Sequence, residues 1–152
     1  MKKILVVLIV ALVVLSSASA FRVKSVGIET GSGLFASVDM EIVENLDVYA
    51  RAGLSYRYFS TGGGVQYKIA SFDLDKTTVD VKPGFQTTIG FGDGYFNMLL
   101  LGTCQFAFET DRLTGFLRPC LGLSLSTTGS GEYKSKSHDF AWTIETGVAY
   151  LF

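Results

Sequence analysis

The sequence of 152 residues contains few cysteines, histidines and prolines: two, one and two. Disulfide-bonded and zinc-bound folds depend on the first two of these residue types. Two cysteines are too few for a disulfide framework, and one histidine beside them is too little for a zinc module. Basic and acidic residues nearly balance, at 13 and 14, so the chain has no basic surface of the kind that binds nucleic acid. These absences argue against three common classes of small protein.

A long hydrophobic run occurs only near the amino terminus, from Ile4 to Leu15. Lys2 and Lys3 precede it, and small residues ending at Ala20 follow it. As a helix the run would reach ~18 Å, short of the ~30 Å hydrocarbon core of a bilayer, so an uncleaved anchor is the weaker alternative. The pattern predicts a secretory signal peptide at residues 1–20 and one domain at residues 21–152.

Glycine is abundant, and all 17 glycines lie after residue 20. Each glycine costs ~1 kcal/mol in a helix interior, which disfavours a helical bundle. Apolar and polar residues instead alternate with a period of two, which is typical of β-strands. The alternation predicts eight strands, with turns at residues 31–33, 44–47, 61–64, 73–75, 92–94, 111–112 and 127–137.

The predicted fold is all-β, a closed antiparallel up-and-down transmembrane β-barrel of eight strands. The apolar faces run for six or seven alternate positions, as long as a tilted membrane-crossing strand and longer than the ~5–6 residues of an average soluble strand. Aromatic residues mark the ends of these faces, as in the girdles at a membrane interface. They are Tyr56, Tyr58, Phe91, Phe96, Phe108, Phe140, Trp142, Tyr150 and Phe152. We therefore expect the apolar face to point outward.

The last thirteen residues, Phe140 to Phe152, resemble the final strand of bacterial outer-membrane β-barrel proteins. In that class a terminal aromatic residue, preceded by apolar residues at every second position, is the signal for the outer-membrane assembly machinery. The matching positions are Ile144, Val148, Tyr150 and Phe152, with Thr146 a weaker match. In size and strand pattern the chain is similar to the eight-stranded barrels of the OmpX, OmpA-domain or OmpW type, without a feature that selects a subfamily.

The resemblance implies location in the bacterial outer membrane, contact with its lipids, and assembly by the barrel-insertion machinery. We also expect a monomer and no cofactor. An eight-stranded barrel has an interior just wide enough to be filled by side chains, so we expect no solute pore.

The predicted inward face carries a nearly balanced set of charges. It contains Asp39, Glu41, Arg51, Arg57, Asp80, Lys82, Glu109, Arg118 and Glu145. We interpret these residues as a packed salt-bridge network, because a buried unpaired charge is costly. An ion path or a catalytic cluster is the alternative interpretation.

The cysteines and the histidine do not predict a reactive site. Cys104 and Cys120 fall on opposite faces of their strands, so we expect no disulfide unless a bulge at Pro119 shifts the alternation. Ser137, His138 and Asp139 are adjacent, and adjacent strand residues point to opposite faces, so they cannot converge as a triad. The sequence therefore predicts no catalytic, cofactor or metal site.

These observations predict a small outer-membrane barrel with a structural or surface-interaction role. Two alternatives come from other classes. A soluble periplasmic lipocalin-like barrel would need the faces reversed, with an apolar interior for a ligand. A lipid A-modifying barrel enzyme would need a catalytic histidine, for which His138 with Glu145 is a weak match.

Overall fold

Nine antiparallel strands make up almost all of the described chain in a computed structural model that describes residues 22–55, 58–129 and 135–152. The strands are β1 (Arg22–Thr30), β2 (Leu34–Val43), β3 (Leu46–Ser55), β4 (Tyr58–Tyr67), β5 (Ala70–Leu74), β6 (Thr77–Gly92), β7 (Tyr95–Glu109), β8 (Leu113–Thr128) and β9 (Ser135–Leu151). Among these residues there is no helix long and apolar enough to cross a membrane. The predicted signal peptide lies outside the described residues.

The strands form one closed sheet in the order β4-β3-β2-β1-β9-β8-β7-β6-β5, with β4 also pairing with β6. Because β4 and β5 lie end to end along the same side of β6, the nine segments occupy eight positions around the barrel. The fold is therefore an all-β, eight-stranded closed antiparallel barrel, as the alternation predicted. Both ends of the described chain lie at one end of the barrel, called the terminus end here; the opposite end is the loop end.

A one-residue irregularity at residues 68–69 separates β4 from β5. Gln66 pairs with Gly84, whereas Ala70 pairs with Val81, so the register shifts by one residue between them. The Lys68 amide donates to the Asn45 carbonyl over 2.8 Å, and the Ile69 amide donates to the Val81 carbonyl over 3.0 Å. The shift turns Ile69 outward and lets the side chains of Lys68 and Ser71 both reach Asp80.

The strands are staggered around the barrel. Successive register partners of Thr30 are Leu34, Leu54, Phe59, Phe91, Phe96, Thr127 and finally Lys136 in β9. The direct partner of Thr30 in β9 is Thr146, ten residues beyond Lys136. Spread over eight strands, this offset gives a tilt of about 40° for ~3.3 Å per residue and ~4.8 Å between strands.

Mostly polar side chains, together with a few aromatic ones such as Phe35 and Phe116, fill the interior, and large apolar side chains cover the outside. The largest fully buried side chains include Arg118, Gln86, Glu29, Glu145 and Asp80. Exposed side chains include Trp142 at 70%, Phe140 and Leu54 at 68%, and Val148 at 63%. This distribution is the reverse of that in an ordinary soluble protein.

Two glycines on the inner wall make room for aromatic rings. A Cβ at Gly64 would lie 2.7 Å from the Tyr49 ring, and a Cβ at Gly147 would lie 2.8 Å from the Phe116 ring. Because either contact is closer than real Cβ atoms allow, the aromatic ring can occupy its place only against a residue without a side chain.

The predicted turn at residues 61–64 is wrong, because these residues lie within β4. Gly62, Gly63 and Gly64 pair with Arg51, Ala50 and Tyr49 on one side and with β6 on the other. The predicted turns at Asn45 and Asp75 are confirmed, and both residues have positive φ, of 68° and 52°.

The cysteines lie as the alternation predicted. Cys120 is buried and Cys104 is half-buried, and both are free thiols. The register sum is the same on either side of Pro119, where Cys120 pairs with Thr103 and Leu117 with Phe106, so no bulge occurs there. The two side chains are consequently on opposite faces of the wall.

Candidate functional site in the barrel interior

Two clusters of charged side chains occupy the interior. The central cluster consists of Glu29, Arg51, Arg118 and Glu145, contributed by β1, β3, β8 and β9. The basal cluster lies nearer the terminus end. It consists of Lys24, Asp47, Lys68, Asp80, Lys82 and Glu109.

The central cluster is a ring of two cations and two anions. Arg51 Nη1 lies 2.9 Å from Glu29 Oε1 and 2.9 Å from Glu145 Oε2. Arg118 Nη1 lies 3.2 Å from Glu29 Oε2 and 3.1 Å from Glu145 Oε2. All four side chains are at most 2% exposed, so each charge is stabilised by the opposite charges of the ring rather than by solvation in water.

Neutral side chains accept or donate most of the remaining hydrogen bonds of this ring, although the buried Arg51 Nε has no partner among the described residues. Arg118 donates from Nε and Nη2 to Gln105 Oε1 over 2.8 and 2.6 Å. Arg51 Nη2 donates to Thr88 Oγ1 over 2.6 Å, and Gln86 Nε2 donates to Glu145 Oε1 over 3.0 Å. Gln86 in turn accepts from the Tyr49 hydroxyl. These bonds satisfy polar groups that burial would otherwise leave unpaired.

Both guanidinium groups lie over the faces of aromatic rings. The Arg51 guanidinium lies 4.6 Å from the centroid of the Phe35 ring. The Arg118 guanidinium lies 4.4 Å from the Tyr49 ring and 4.6 Å from the Phe116 ring. Because Gly64 and Gly147 receive the Tyr49 and Phe116 rings, the two glycines help to position Arg118.

The basal cluster is also neutral, with three lysines and three carboxylates, but it is more open. Lys82 Nζ lies 3.3 Å from Asp47, 3.6 Å from Asp80 and 3.1 Å from Glu109. Lys24 and Lys68 approach the rim of this cluster, with side chains 27% and 33% exposed. Water at the terminus end can therefore solvate part of this cluster.

Six of the nine charged residues predicted for the lumen fall in these clusters. The central cluster contains Arg51, Arg118 and Glu145, and the basal cluster contains Asp80, Lys82 and Glu109. Asp39 accepts a hydrogen bond from Ser25 over 2.6 Å. Glu41 is half-buried and has no salt bridge with any residue that the structure describes. Arg57 lies outside the described residues.

Sequence reasoning missed Glu29, Asp47, Lys24 and Lys68. A signal existed for Glu29, since it follows Ile28 and so falls on the face opposite to that apolar side chain. The turn predicted at residues 44–47 includes Asp47, although this residue is two positions from Tyr49 and four from Arg51 and therefore shares their face. Lys68 could not be placed, because its side chain enters the lumen only through the irregularity at residues 68–69.

The remaining predicted features are on or near the outer surface. Ile144, Val148, Tyr150 and Phe152 are 53%, 63%, 44% and 72% exposed. Ser137 and Asp139 hydrogen-bond over 2.7 Å, whereas His138 lies between them on the opposite face of β9. The three residues therefore do not converge. No group of His, Cys, Asp and Glu suited to a metal ion occurs in the part of the chain that the structure describes.

Two surface depressions lie outside the central cluster. A polar depression of about 410 Å³ at the terminus end is lined by residues that include Lys76, Asp75 and Asp111. An apolar groove of about 720 Å³ on the outer wall is lined by residues that include Pro83, Cys104, Pro119 and Trp142. Neither depression leads into the central cluster, none of whose four members lines either one.

Comparison of the chain with family models, with curated proteins and with solved structures gave no significant match.

Proposed function

We propose that the protein is a small β-barrel of the bacterial outer membrane, with a structural or surface-interaction role and a closed, salt-bridged lumen. The observation that carries this proposal is the inverted distribution of side chains. Exposed large apolar residues surround the barrel, while Arg118, Glu145 and Lys82 are nearly inaccessible inside it. A closed barrel suits a lipid environment because it leaves no unpaired sheet edge along most of its wall.

The terminal strand supports the same proposal. Ile144, Val148, Tyr150 and Phe152 project their side chains away from the lumen, where an assembly factor and then lipid can reach them. With the signal peptide expected at residues 1–20, these features make outer-membrane lipids and the barrel-insertion machinery the partners that we propose. The monomeric state is part of the same proposal.

The packing of the lumen argues for a role that does not involve solute transport. The central cluster closes the interior with two Arg side chains, each ion-paired to both Glu29 and Glu145. A lipocalin-like carrier would need an apolar cavity there, and an enzyme would need a polar group free to react. Neither requirement matches side chains that are fully buried and neutralise one another.

Membrane fractionation followed by gels of heated and unheated samples tests the proposal. We expect the protein in the outer-membrane fraction, and we expect unheated protein to migrate faster than heated protein because a folded barrel resists detergent. Planar-bilayer recordings should show no large stable single-channel steps. A processed protein that stays in solution without detergent would refute the membrane assignment, and large steps would refute the closed lumen.

A further inference from the structure

The wall of the barrel has a step where β1 meets β9. The two strands pair only from Ser25–Leu151 to Thr30–Thr146, whereas β8 and β9 pair from Leu113–Tyr150 to Thr128–Ser135. The turn after β1 reaches Ile144, since a Cβ on Gly31 would lie 3.3 Å from the Ile144 carbonyl oxygen. From Ser135 to Thr143, no strand among the described residues pairs with β9 on the side facing β1.

The backbone groups that face this free edge can be identified from the ladder. The Leu151 amide donates to the Arg112 carbonyl on the β8 side, and the Phe152 amide donates to the Lys24 carbonyl on the β1 side. Successive residues of an antiparallel strand direct their N–H and C=O groups to alternate neighbours. The free edge therefore presents the backbone groups of Trp142, Phe140, His138 and Lys136.

Part of this edge lies at the height of the apolar belt. When the ten-residue offset is spread over eight strands, Trp142 lies at about the level of Leu54, Ile89 and Leu123 on other strands. Trp142 and Phe140 are themselves among the most exposed side chains, at 70% and 68%. In lipid, unpaired N–H and C=O groups are strongly unfavourable, because acyl chains offer no hydrogen-bond partners.

A second copy of the chain does not fit this edge in a membrane. Antiparallel pairing of two β9 edges needs a two-fold axis perpendicular to the sheet, which would turn one barrel upside down in the bilayer. Parallel pairing about an axis along the strands would exchange the faces, placing the lumen side of one wall toward lipid. This geometry favours a strand from a different polypeptide over a second copy of the chain.

We propose that the edge of β9 from Lys136 to Trp142 accepts an added β-strand from another protein, an inference that rests on the proposed membrane location. The added segment runs antiparallel to β9 and occupies the position that β1 leaves at Thr30. Its apolar side chains continue the face of Trp142 and Phe140, and its small or polar side chains continue the inner face of Ala141 and Thr143. Main-chain hydrogen bonds supply the affinity, and the alternation of apolar with small or polar side chains along the added strand supplies the specificity.

Hydrogen exchange of the full barrel in lipid nanodiscs, followed by NMR, tests this inference. The probe is a synthetic peptide of alternating Val and Thr with Lys residues at both ends. At a peptide concentration about a hundred times Kd, the amides of His138, Phe140 and Trp142 should exchange about a hundredfold more slowly. The amides of Asp139 and Ala141 should not change, because they already face β8.

A matched pair of variants controls for non-specific binding. Phe140→Pro removes one edge-directed N–H without removing a bond to β8, since proline is tolerated on an edge strand, and it should abolish protection of the neighbouring edge amides. Phe140→Leu keeps the N–H and should therefore retain the protection of the neighbouring edge amides. Equal protection in both variants would overturn the inference, as would edge amides that become protected without peptide as the protein concentration rises, which would indicate a second copy.

The test separates this inference from the proposed function. A barrel that inserts into nanodiscs but shows no peptide-dependent protection of the edge amides overturns the inference alone. A protein that does not insert overturns both.

Discussion

The central and basal clusters use the same balance of charge in different surroundings. In the central cluster, two guanidinium groups and two carboxylates are at most 2% exposed, and each arginine contacts both carboxylates. In the basal cluster, compact ammonium groups meet carboxylates at 3.1–3.7 Å, and the outer lysines are 27% and 33% exposed. Burial therefore decides how much each ion pair matters to stability, because water can replace a partner only in the basal cluster.

The largest expected effect comes from breaking the central ring at Arg118. Arg118→Met leaves the carboxylates of Glu29 and Glu145 with one guanidinium between them, so the free energy of unfolding should fall by about 3–5 kcal/mol. Urea unfolding in lipid vesicles, followed by the difference in gel mobility, measures this loss.

A charge-balanced variant isolates the cause of that effect. In the double variant Arg118→Met with Glu145→Gln, one cation and one anion remain, Arg51 and Glu29, at 2.9 Å. The double variant should therefore be less destabilised than Arg118→Met alone, since no unpaired charge stays buried. A double variant that loses as much as the sum of the two single changes would show that charge pairing does not govern the central cluster.

An intermediate effect is expected at Lys82, the most buried lysine of the basal cluster. Its side chain is 4% exposed and contacts three carboxylates, but Lys24 and Lys68 remain beside those carboxylates. Lys82→Met should lower the free energy of unfolding by about 1–3 kcal/mol in the same urea assay. A loss as large as that of Arg118→Met would remove the distinction between the clusters.

The smallest effect is expected at the rim. Lys24 is partly solvated, with 3.4 Å to Asp47 and 3.7 Å to Glu109, so Lys24→Met should cost about 0–1 kcal/mol. The difference from the unchanged protein should shrink further in ~1 M salt, where the Debye length is ~3 Å. The difference for Arg118→Met should not depend on salt. Equal salt dependence at the two positions would mean that water reaches the central cluster.

The alternation of the sequence predicted most of the strands and their inner and outer faces, but it did not predict β4, part of which was expected to be a turn. A strand has a period of two whatever its neighbours are, so Arg51, Asp80 and Glu145 could be assigned to one face from local pattern alone. The partners of these residues could not be assigned. Arg118 meets Glu29, 89 residues away, only because the sheet closes with a particular stagger.

The error at Gly62, Gly63 and Gly64 has a comparable origin. Three consecutive glycines favour a loop on local grounds, and no local pattern shows that the Tyr49 ring needs the space at Gly64. The positive-φ glycines among the described residues are Gly94 and Gly129, so Gly62–Gly64 serve close packing rather than a turn. The strand conformation of Gly62–Gly64 therefore depends on long-range packing, which the local composition does not reveal.

The proposed membrane location requires the apolar outer wall to face lipid while the ion pairs stay inside, and the one tryptophan of the chain reports on this directly. Trp142 is 70% exposed on the outer face, so its fluorescence in reconstituted vesicles depends on what surrounds the barrel. If the outer wall faces lipid, the emission should be blue-shifted, strongly quenched by lipids with brominated acyl chains and weakly quenched by aqueous iodide. Emission typical of a water-exposed indole, quenched by iodide and unaffected by brominated lipid, would contradict it.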